Sequence, residues 1–440
     1  VMYLLGVLVM VVGIALSIAL HEVGHLLPAK RFGVKVTQYM VGFGPTLWSR
    51  RRGETEYGVK AVPLGGYVRM IGMFPPRAAD GGRLRRSSSN PFHQMIEQAR
   101  TDSLDEVEPG EEHRTFYRLP VWQRLVVMAG GPLMNLGIAA VLVTLLLTVH
   151  GVGTLTPTVS AVAECANTDV ADDSCEGQDP SPALAAGLQA GDTIVAVDGT
   201  PVSTWSQTTY AIQNAGDTAA FTVERDGGRR TLEADLVLRE RPLMTPDGQY
   251  QVDEDGELVL GQVGFLGASP TFVYEPQPIT AVPGFVGDMF TGTARIVLTL
   301  PQRMVDVAQT VAGVEERDAE GPMSVVGVGR VAGEVADGAL GDAGDSLTDR
   351  FWILLSLVAS LNMALFVFNL IPLLPLDGGH IAGALWEGLK KAWHRVRGLP
   401  APAPVDTAKA LPVAYAVAVG LLGMTALLIY ADIVTPIRLT

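Results

Sequence analysis

The chain has 440 residues with a net charge of −14, and 48% of its residues are hydrophobic. At roughly 100–200 residues per domain it could hold two to four units, but the apolar residues are clumped into long uncharged runs, which excludes a plain soluble enzyme. The charge is also uneven: residues 151–350 carry 31 Asp and Glu against 10 Lys and Arg, while 29–120 carry 15 Lys and Arg against 10 Asp and Glu. So acidic a chain does not suit a nucleic-acid partner.

Four apolar stretches are long enough to cross a bilayer, at 2–20, 125–149, 351–376 and 410–430. Positive residues stay on the cytoplasmic side. The segment with Lys30, Arg31, Arg50, Arg51, Arg52, Arg85 and Arg86 therefore reads as cytoplasmic, as does the short loop with Lys390, Lys391, Arg395 and Arg397. The long acidic segment and both termini then lie outside, and four crossings satisfy the assignment. The first stretch lacks the positive start of a signal peptide, although Ser17-Ile18-Ala19 resembles a cleavage region, so it reads as a retained helix.

That helix runs into His21-Glu22-Val23-Gly24-His25. Residues four apart share a helix face, so His21 and His25 can hold one Zn²⁺ while Glu22 takes a proton from water. Ionisable groups at the end of an apolar span are costly and normally have a partner or a job. A catalytic zinc needs a third protein ligand and an open position. The third stretch supplies Asp377 in Asn369-Leu370-Ile371-Pro372-Leu373-Leu374-Pro375-Leu376-Asp377-Gly378-Gly379-His380. Spans one and three run in the same direction, so Asp377 reaches the depth of His21 and His25. Pro372 and Pro375 break the helical ladder and free backbone groups, a tolerable state at membrane depth only in protein or beside a wet cavity. His380 is the rival third ligand; otherwise it is a partner to the ligands or a surface residue.

Between spans one and two, the sequence from Thr55 to Met70 reads as a strand pair with a turn at Gly65-Gly66. Residues 77–112, with arginine, serine and acidic runs, read as an excursion of low order. In the outer segment Cys165 and Cys175 lie ten residues apart, where the redox environment permits a disulfide. An alternating strand follows Gly191-Asp192, and a turn falls at Asp198-Gly199. Residues 283–311 are amphipathic enough to lie on the outer membrane surface, as a gate or as a simple anchor.

Taken in order, His21 to His25, Gly42-Phe43-Gly44-Pro45, Val62 to Val68, Gly130-Gly131-Pro132-Leu133-Met134-Asn135, Gly321-Pro322-Met323-Ser324 and Asn369 to Gly378 resemble the site-2 protease family of intramembrane zinc metalloproteases. The likeness extends over nearly the whole chain and is closest to the bacterial regulator-of-sigma-E protease group, in particular actinobacterial members with a single PDZ domain. It implies one zinc per chain on His21, His25 and Asp377, with Glu22 as general base and later proton donor. It also implies that Asn135 and Asn369 steady the substrate backbone or the developing oxyanion, with Pro372 and the Gly65-Gly66 hairpin also binding the substrate. For the asparagines, hydrogen bonding between helices is the competing reading. Ser181 to Gly187 and Gly191 to Gly199 resemble a PDZ domain, a fold that adds a peptide strand to a sheet edge. The insert 164–180 departs from a compact PDZ.

The fold class expected is thus a polytopic α-helical membrane protein with four transmembrane helices, a membrane-associated β-hairpin and an extracytoplasmic PDZ domain of α+β type. Its divisions are a first helix at 1–28, a cytoplasmic segment at 29–120, a second helix at 121–150 and the PDZ domain at 151–265. An interfacial segment follows at 266–348, a third helix at 349–380, a cytoplasmic loop at 381–408 and a fourth helix at 409–433. The function implied is zinc-dependent cleavage of a transmembrane segment in a pre-trimmed single-span substrate, an anti-sigma factor by resemblance, in a cell membrane. The alternative is a silent PDZ scaffold with a structural zinc, against which Glu22 argues, because a structural site has no need of it. A transporter would need an internal repeat, and none is present.

Overall fold

The computed structural model describes residues 1–75, 96–99, 101, 103, 105–166, 175, 179–246, 248–253, 257–314, 317–318, 321–339, 346–400, 402, 405 and 407–437. Most of the low-order excursion expected at 77–112 and much of the cysteine insert fall outside these residues. The chain divides into two compact units, one of residues 1–149 and 278–440 and one of residues 150–277.

Four helical stretches in the first unit are long and apolar enough to cross a membrane: Met2–Arg31, Val121–His150, Leu347–Asn369 and Thr407–Val434. Helix α1 (Met2–Arg31) is about 45 Å long at 1.5 Å per residue. It therefore outreaches a hydrocarbon core of about 30 Å and carries His21 to His25 towards its far end. Lys30 and Arg31 in its last turn suit the negative end of the helix dipole. Leu4, Leu5, Leu8, Val12 and Leu16 are exposed, whereas Gly6, Ser17 and Gly24 are buried. Small residues facing neighbouring helices and large apolar ones facing outward are the pattern of packing in lipid.

Helix α2 (Val121–Leu145) crosses α1 backbone against backbone. A Cβ on Gly24 would sit 2.3 Å from the Gly130 carbonyl oxygen, and one on Gly130 would sit 2.0 Å from that of Gly24. Pro28, four residues beyond Gly24, has no N–H to bond that carbonyl.

Strands β1 (Val36–Arg52) and β2 (Thr55–Met70) pair in a register that folds back on itself. Val36 to Val41 face Met70 to Gly66 on one side and Gln38 to Val41 face Glu56 to Val59 on the other; Thr46 to Arg52 face Lys60 to Thr55. The turn joining the strands is therefore at Gly53-Glu54, not at the expected Gly65-Gly66, which lies inside β2. Gly65 has φ +111 and permits the bend that brings Gly66 to Met70 alongside Val36 to Val41.

The second unit begins with β3 (Val152–Val162), β4 (Thr193–Val197), helix α3 (Trp205–Gln213), β5 (Thr218–Arg225) and β6 (Gly228–Asp235), and continues with β7 (Val237–Pro242), β8 (Leu260–Phe265) and β9 (Ala268–Glu275). One antiparallel sheet runs β9–β3–β4–β5–β6, with Thr200–Pro201 off β4, and β7 pairs with β8. Val159, Ile194, Phe221, Val223 and Ile212 form its core. The turn at Asp198-Gly199 occurs as the sequence predicts, and Asp226-Gly227 makes a second; all four residues have positive φ. Arg225 grips buried Asp192 with Nε at 2.6 Å and Nη2 at 2.5 Å, which holds that carboxyl below the usual carboxylate range. The unit extends to residue 277, because β9, assigned from sequence to the interfacial segment, pairs with β3. Cys165 and Cys175 are disulfide-bonded.

The amphipathic segment forms α4 (Val282–Val311), followed by α5 (Val325–Asp337). Ser324 caps α5 and its amide donates to Asp432 Oδ2 at 2.6 Å. Helix α6 (Leu347–Asn369) opens on a capping box from Ser346 and Asp349. It stops at Asn369, short of the 349–380 expected, because Pro372 and Pro375 follow. Asp377 opens a separate helix, α7 (Asp377–Val396), where a loop was expected over 381–408. Helix α8 (Leu411–Val434) completes the unit.

Candidate metal centre and active site

Two elements deliver the three convergent side chains. Helix α1 presents His21 and His25 one turn apart, and Asp377 comes from the first residue of α7. Gly378 and Gly379 allow this placement: a Cβ on Gly378 would lie 2.2 Å from Ile371 O, and one on Gly379 2.6 Å from Leu374 N. The seven residues after α6 thus fold tightly under the start of α7 and aim its first carboxylate at α1.

The two imidazole Nε2 atoms are 3.2 Å apart, and each is 3.3 Å from Asp377 Oδ2. A tetrahedral metal with bonds of about 2.0–2.1 Å separates its ligand atoms by about 3.3 Å. The triangle therefore has the edge that zinc demands. Asp377 Oδ2 is buried without a hydrogen-bond partner, so its lone pairs fit it to serve as a metal ligand. Both outer imidazole nitrogens are occupied. His25 Nδ1 lies 2.8 Å from Val127 O, which accepts its proton and leaves Nε2 for the metal. His21 Nδ1 lies 3.1 Å from the amide of fully buried Asn135, whose Oδ1 has no partner. A half-turn of that amide sets Oδ1 to accept from His21 Nδ1, satisfying both groups and fixing the same tautomer on both ligands.

Glu22 is buried beside the trio, and a Cβ on Gly66 would lie 2.9 Å from its Cγ. The sheet is pinned there by Tyr39, whose hydroxyl donates to Ala19 O at 2.8 Å. Burial, reinforced by the Glu22 charge, pushes the Tyr39 phenol up to about 12, so it remains a donor.

Of the remaining sequence candidates, Gly65 and Gly66 lie in β2, with Gly66 against Glu22. Pro372 is exposed in the connection after α6. Asn369 donates to Leu365 O within its own helix, and His380 lines a small cavity of about 20 Å³ with Arg124, Tyr117 and Thr407 and is not part of the trio. Sequence reasoning missed Asn362, fully buried and donating to Ser17 Oγ at 2.8 Å, which ties α6 to α1. It also missed why Gly131 follows Gly130: a Cβ there would lie 2.2 Å from His25 Nε2. Gly131→Ala should therefore displace a ligand and weaken zinc retention at least about tenfold in competition with a chelator.

A second polar contact braces α7. Arg124 Nη2 donates to Glu387 Oε1 at 2.5 Å, with both side chains at least nine-tenths buried, and Lys391 and the Val405 amide also bond Glu387. Although burial pushes the Glu387 carboxyl up, Arg124 and Lys391 outweigh it and hold the group below its usual range. Glu387→Ala leaves Arg124 buried and unpaired, a change worth about 3–5 kcal/mol. A marked fall in the thermal unfolding midpoint of the solubilised protein is expected, with most of it recovered by the double change Arg124→Met/Glu387→Leu.

Two imidazoles and a carboxylate converge beside a buried glutamate between long apolar helices, the donor set of a candidate metallopeptidase centre. Comparison with known proteins agrees. The model of peptidase family M50 matches residues 9–401. The chain is 36% identical over 451 residues to the zinc metalloprotease Rip1 of Mycobacterium bovis, spanning 100% of this chain and 99% of that protein. It is 34% identical to Rip1 of Mycolicibacterium smegmatis, spanning 100% and 99%, and 27% identical to the metalloprotease MmpA of Caulobacter vibrioides, spanning 88% and 89%. The chain belongs to peptidase family M50, the site-2 proteases: a multi-pass membrane zinc metalloendopeptidase.

Proposed function

We propose that the protein cleaves a peptide bond inside the membrane-spanning segment of a single-span substrate, and that His21, His25 and Asp377 hold the zinc. The observation that carries this reading is the sheet edge beside Glu22. Gly66 to Met70 pair with β1 on one side only, and among the described residues no strand pairs with their other edge. An unwound substrate segment can add there as a strand, which frees a carbonyl that a helix would keep bonded. Zinc held by His21, His25 and Asp377 would supply Lewis acidity towards that carbonyl and lower the pKa of water. Glu22 accepts the proton of the attacking water and returns it to the departing amine. Asn135 acts through His21, holding the ring in its ligating tautomer; Asn369 spends one amide N–H on Leu365 O within α6 and offers its other N–H and Oδ1 to the substrate.

The second unit is read as a PDZ domain outside the cell, with β9 an edge strand among the described residues and Gly264 to Ala268, where β8 passes into β9, lining a pocket with Trp205, Thr209, Ile212 and Gln213 of α3. Such an edge suits the trimmed outer remnant of a substrate, and the resemblance of the sequence to the regulator-of-sigma-E protease group points to an anti-sigma factor processed in regulated intramembrane proteolysis. Helix α7, which bears Lys390 and Lys391, then lies on the cytoplasmic side, with both termini outside.

The test is to incubate the purified protein in nanodiscs with a single-span substrate and to read the new product termini by mass spectrometry. Termini within the apolar stretch support the reading. Absence of cleavage across a panel of such substrates, with zinc still bound, favours a scaffold instead.

A further inference from the structure

Helix α7 is built the wrong way round for a helix on a water-soluble surface. Its inner side carries Ala384, Glu387 and Gly388, the last with its Cα face 3.3 Å from Val121 Cγ1 if a Cβ is added. Its opposite side carries Leu385, Trp386, Leu389, Trp393 and Val396, each more than half exposed. At about 100° per residue these five fall within roughly one hundred degrees of one another and form a continuous apolar face. Lys390 and Arg397 lie along one border of that face, each over a tryptophan ring, Lys390 at 5.9 Å from Trp386 and Arg397 at 4.2 Å from Trp393. Lys391 and Arg395 fall on the side of Glu387, and Lys391 Nζ lies 2.7 Å from Glu387 Oε1. From Ile381 to Pro400 the single acidic residue is Glu387, and it is buried and paired.

The level of α7 in the unit is set by its neighbours. It crosses the first turn of α2, where a span begins, and it starts eight residues after α6 ends. Trp122 in that same turn of α2 is also exposed and stacks edge-on with Phe32, next to Lys30 and Arg31. Tryptophan and basic residues gather at this depth because an indole suits the headgroup region and a cation suits phosphate.

We infer that α7 lies in the membrane interface with Leu385, Trp386, Leu389, Trp393 and Val396 among the acyl chains, and that Lys390 and Arg397 select anionic phospholipid headgroups. Charge decides for a lipid surface over a protein partner: a cationic border without a free acid matches a layer of phosphates. The helix that begins with Asp377 is thereby seated on the bilayer at one side and on Arg124 at the other. This inference rests on the membrane placement of the helices and not on the proposed cleavage reaction.

The experiment uses the full chain in nanodiscs containing acyl-chain-brominated phosphatidylglycerol or, at the same mole fraction, brominated phosphatidylcholine. The fluorescence lost to bromine quenching is compared with that of Trp386→Phe/Trp393→Phe, so that the signal of these two rings is isolated from the other four tryptophans. Each cation is worth about a fivefold enrichment of anionic lipid. Brominated phosphatidylglycerol should thus quench this component at least about fivefold more effectively than phosphatidylcholine. In Lys390→Gln/Arg397→Gln the preference should vanish while quenching by both lipids persists, and unchanged zinc content reports that α7 still carries Asp377 into place. Equal quenching by the two lipids in the wild type overturns the selection of anionic headgroups. Absence of quenching by either shows that protein, a partner or a second copy, covers the face, and overturns the inference altogether.

Discussion

Glu22→Gln is expected to abolish measurable cleavage, a fall of about a thousandfold or more, while the protein keeps its full zinc. Glu22 is not among the three convergent ligand atoms, so removing its charge leaves the His21, His25 and Asp377 triangle intact. What is lost is the group that takes up and returns the proton, a role worth about 10²–10⁴ in rate. Glutamine has nearly the same shape, so the contact with Gly66 and the seating of the sheet should survive. Zinc content by atomic spectroscopy and cleavage of a single-span substrate, measured on the same preparation, check both halves of the prediction. A variant that still cuts at the wild-type rate contradicts the assignment of Glu22. One that loses its zinc makes Glu22 a determinant of the metal site.

Asp377→Ala should instead cost both zinc and activity. The change removes the only anionic ligand of the trio and leaves two neutral imidazoles, which cannot hold the ion against a modest chelator. Asn135→Ala should be milder. It frees His21 Nδ1 to take either tautomer and lowers metal affinity by about 10–100-fold without removing a ligand. The order expected in zinc retention is therefore wild type, then Asn135→Ala, then Asp377→Ala, read by titration with a chromogenic chelator. Retention by Asp377→Ala equal to that of the wild type contradicts the triangle.

The pair of histidines was legible in the sequence because a separation of four places two side chains on one helix face whatever surrounds them. Asp377 was reachable through the direction of the spans and the likeness to a family. Its local setting was not, since the third span was read through Leu376 and the structure ends α6 at Asn369 before starting a new helix. The two prolines were noticed, but the closeness of Gly378 and Gly379 to the preceding backbone is a three-dimensional fact that no spacing announces. Gly24, Gly130 and Gly131 are similar: each is one more small residue in an apolar run until α1 and α2 are brought together. The asparagines divide on the same ground. Asn135 meets His21 from 114 residues away, while Asn362, unmarked by any motif, is equally buried and links α1 to α6. Helix α7 was readable in part. Its apolar residues recur at helical spacing, but the short basic run between two spans reads first as a topology signal.

Zinc K-edge X-ray absorption on the purified protein, wild type beside Asp377→Asn, tests the metal centre most directly. The account predicts imidazole scattering from two histidines with light ligands at about 2.0–2.1 Å, no sulfur in the shell, and loss or rearrangement of that shell in the variant. A wild-type spectrum with a single imidazole or with sulfur ligands, or a variant spectrum identical to the wild type, would contradict the site formed by His21, His25 and Asp377.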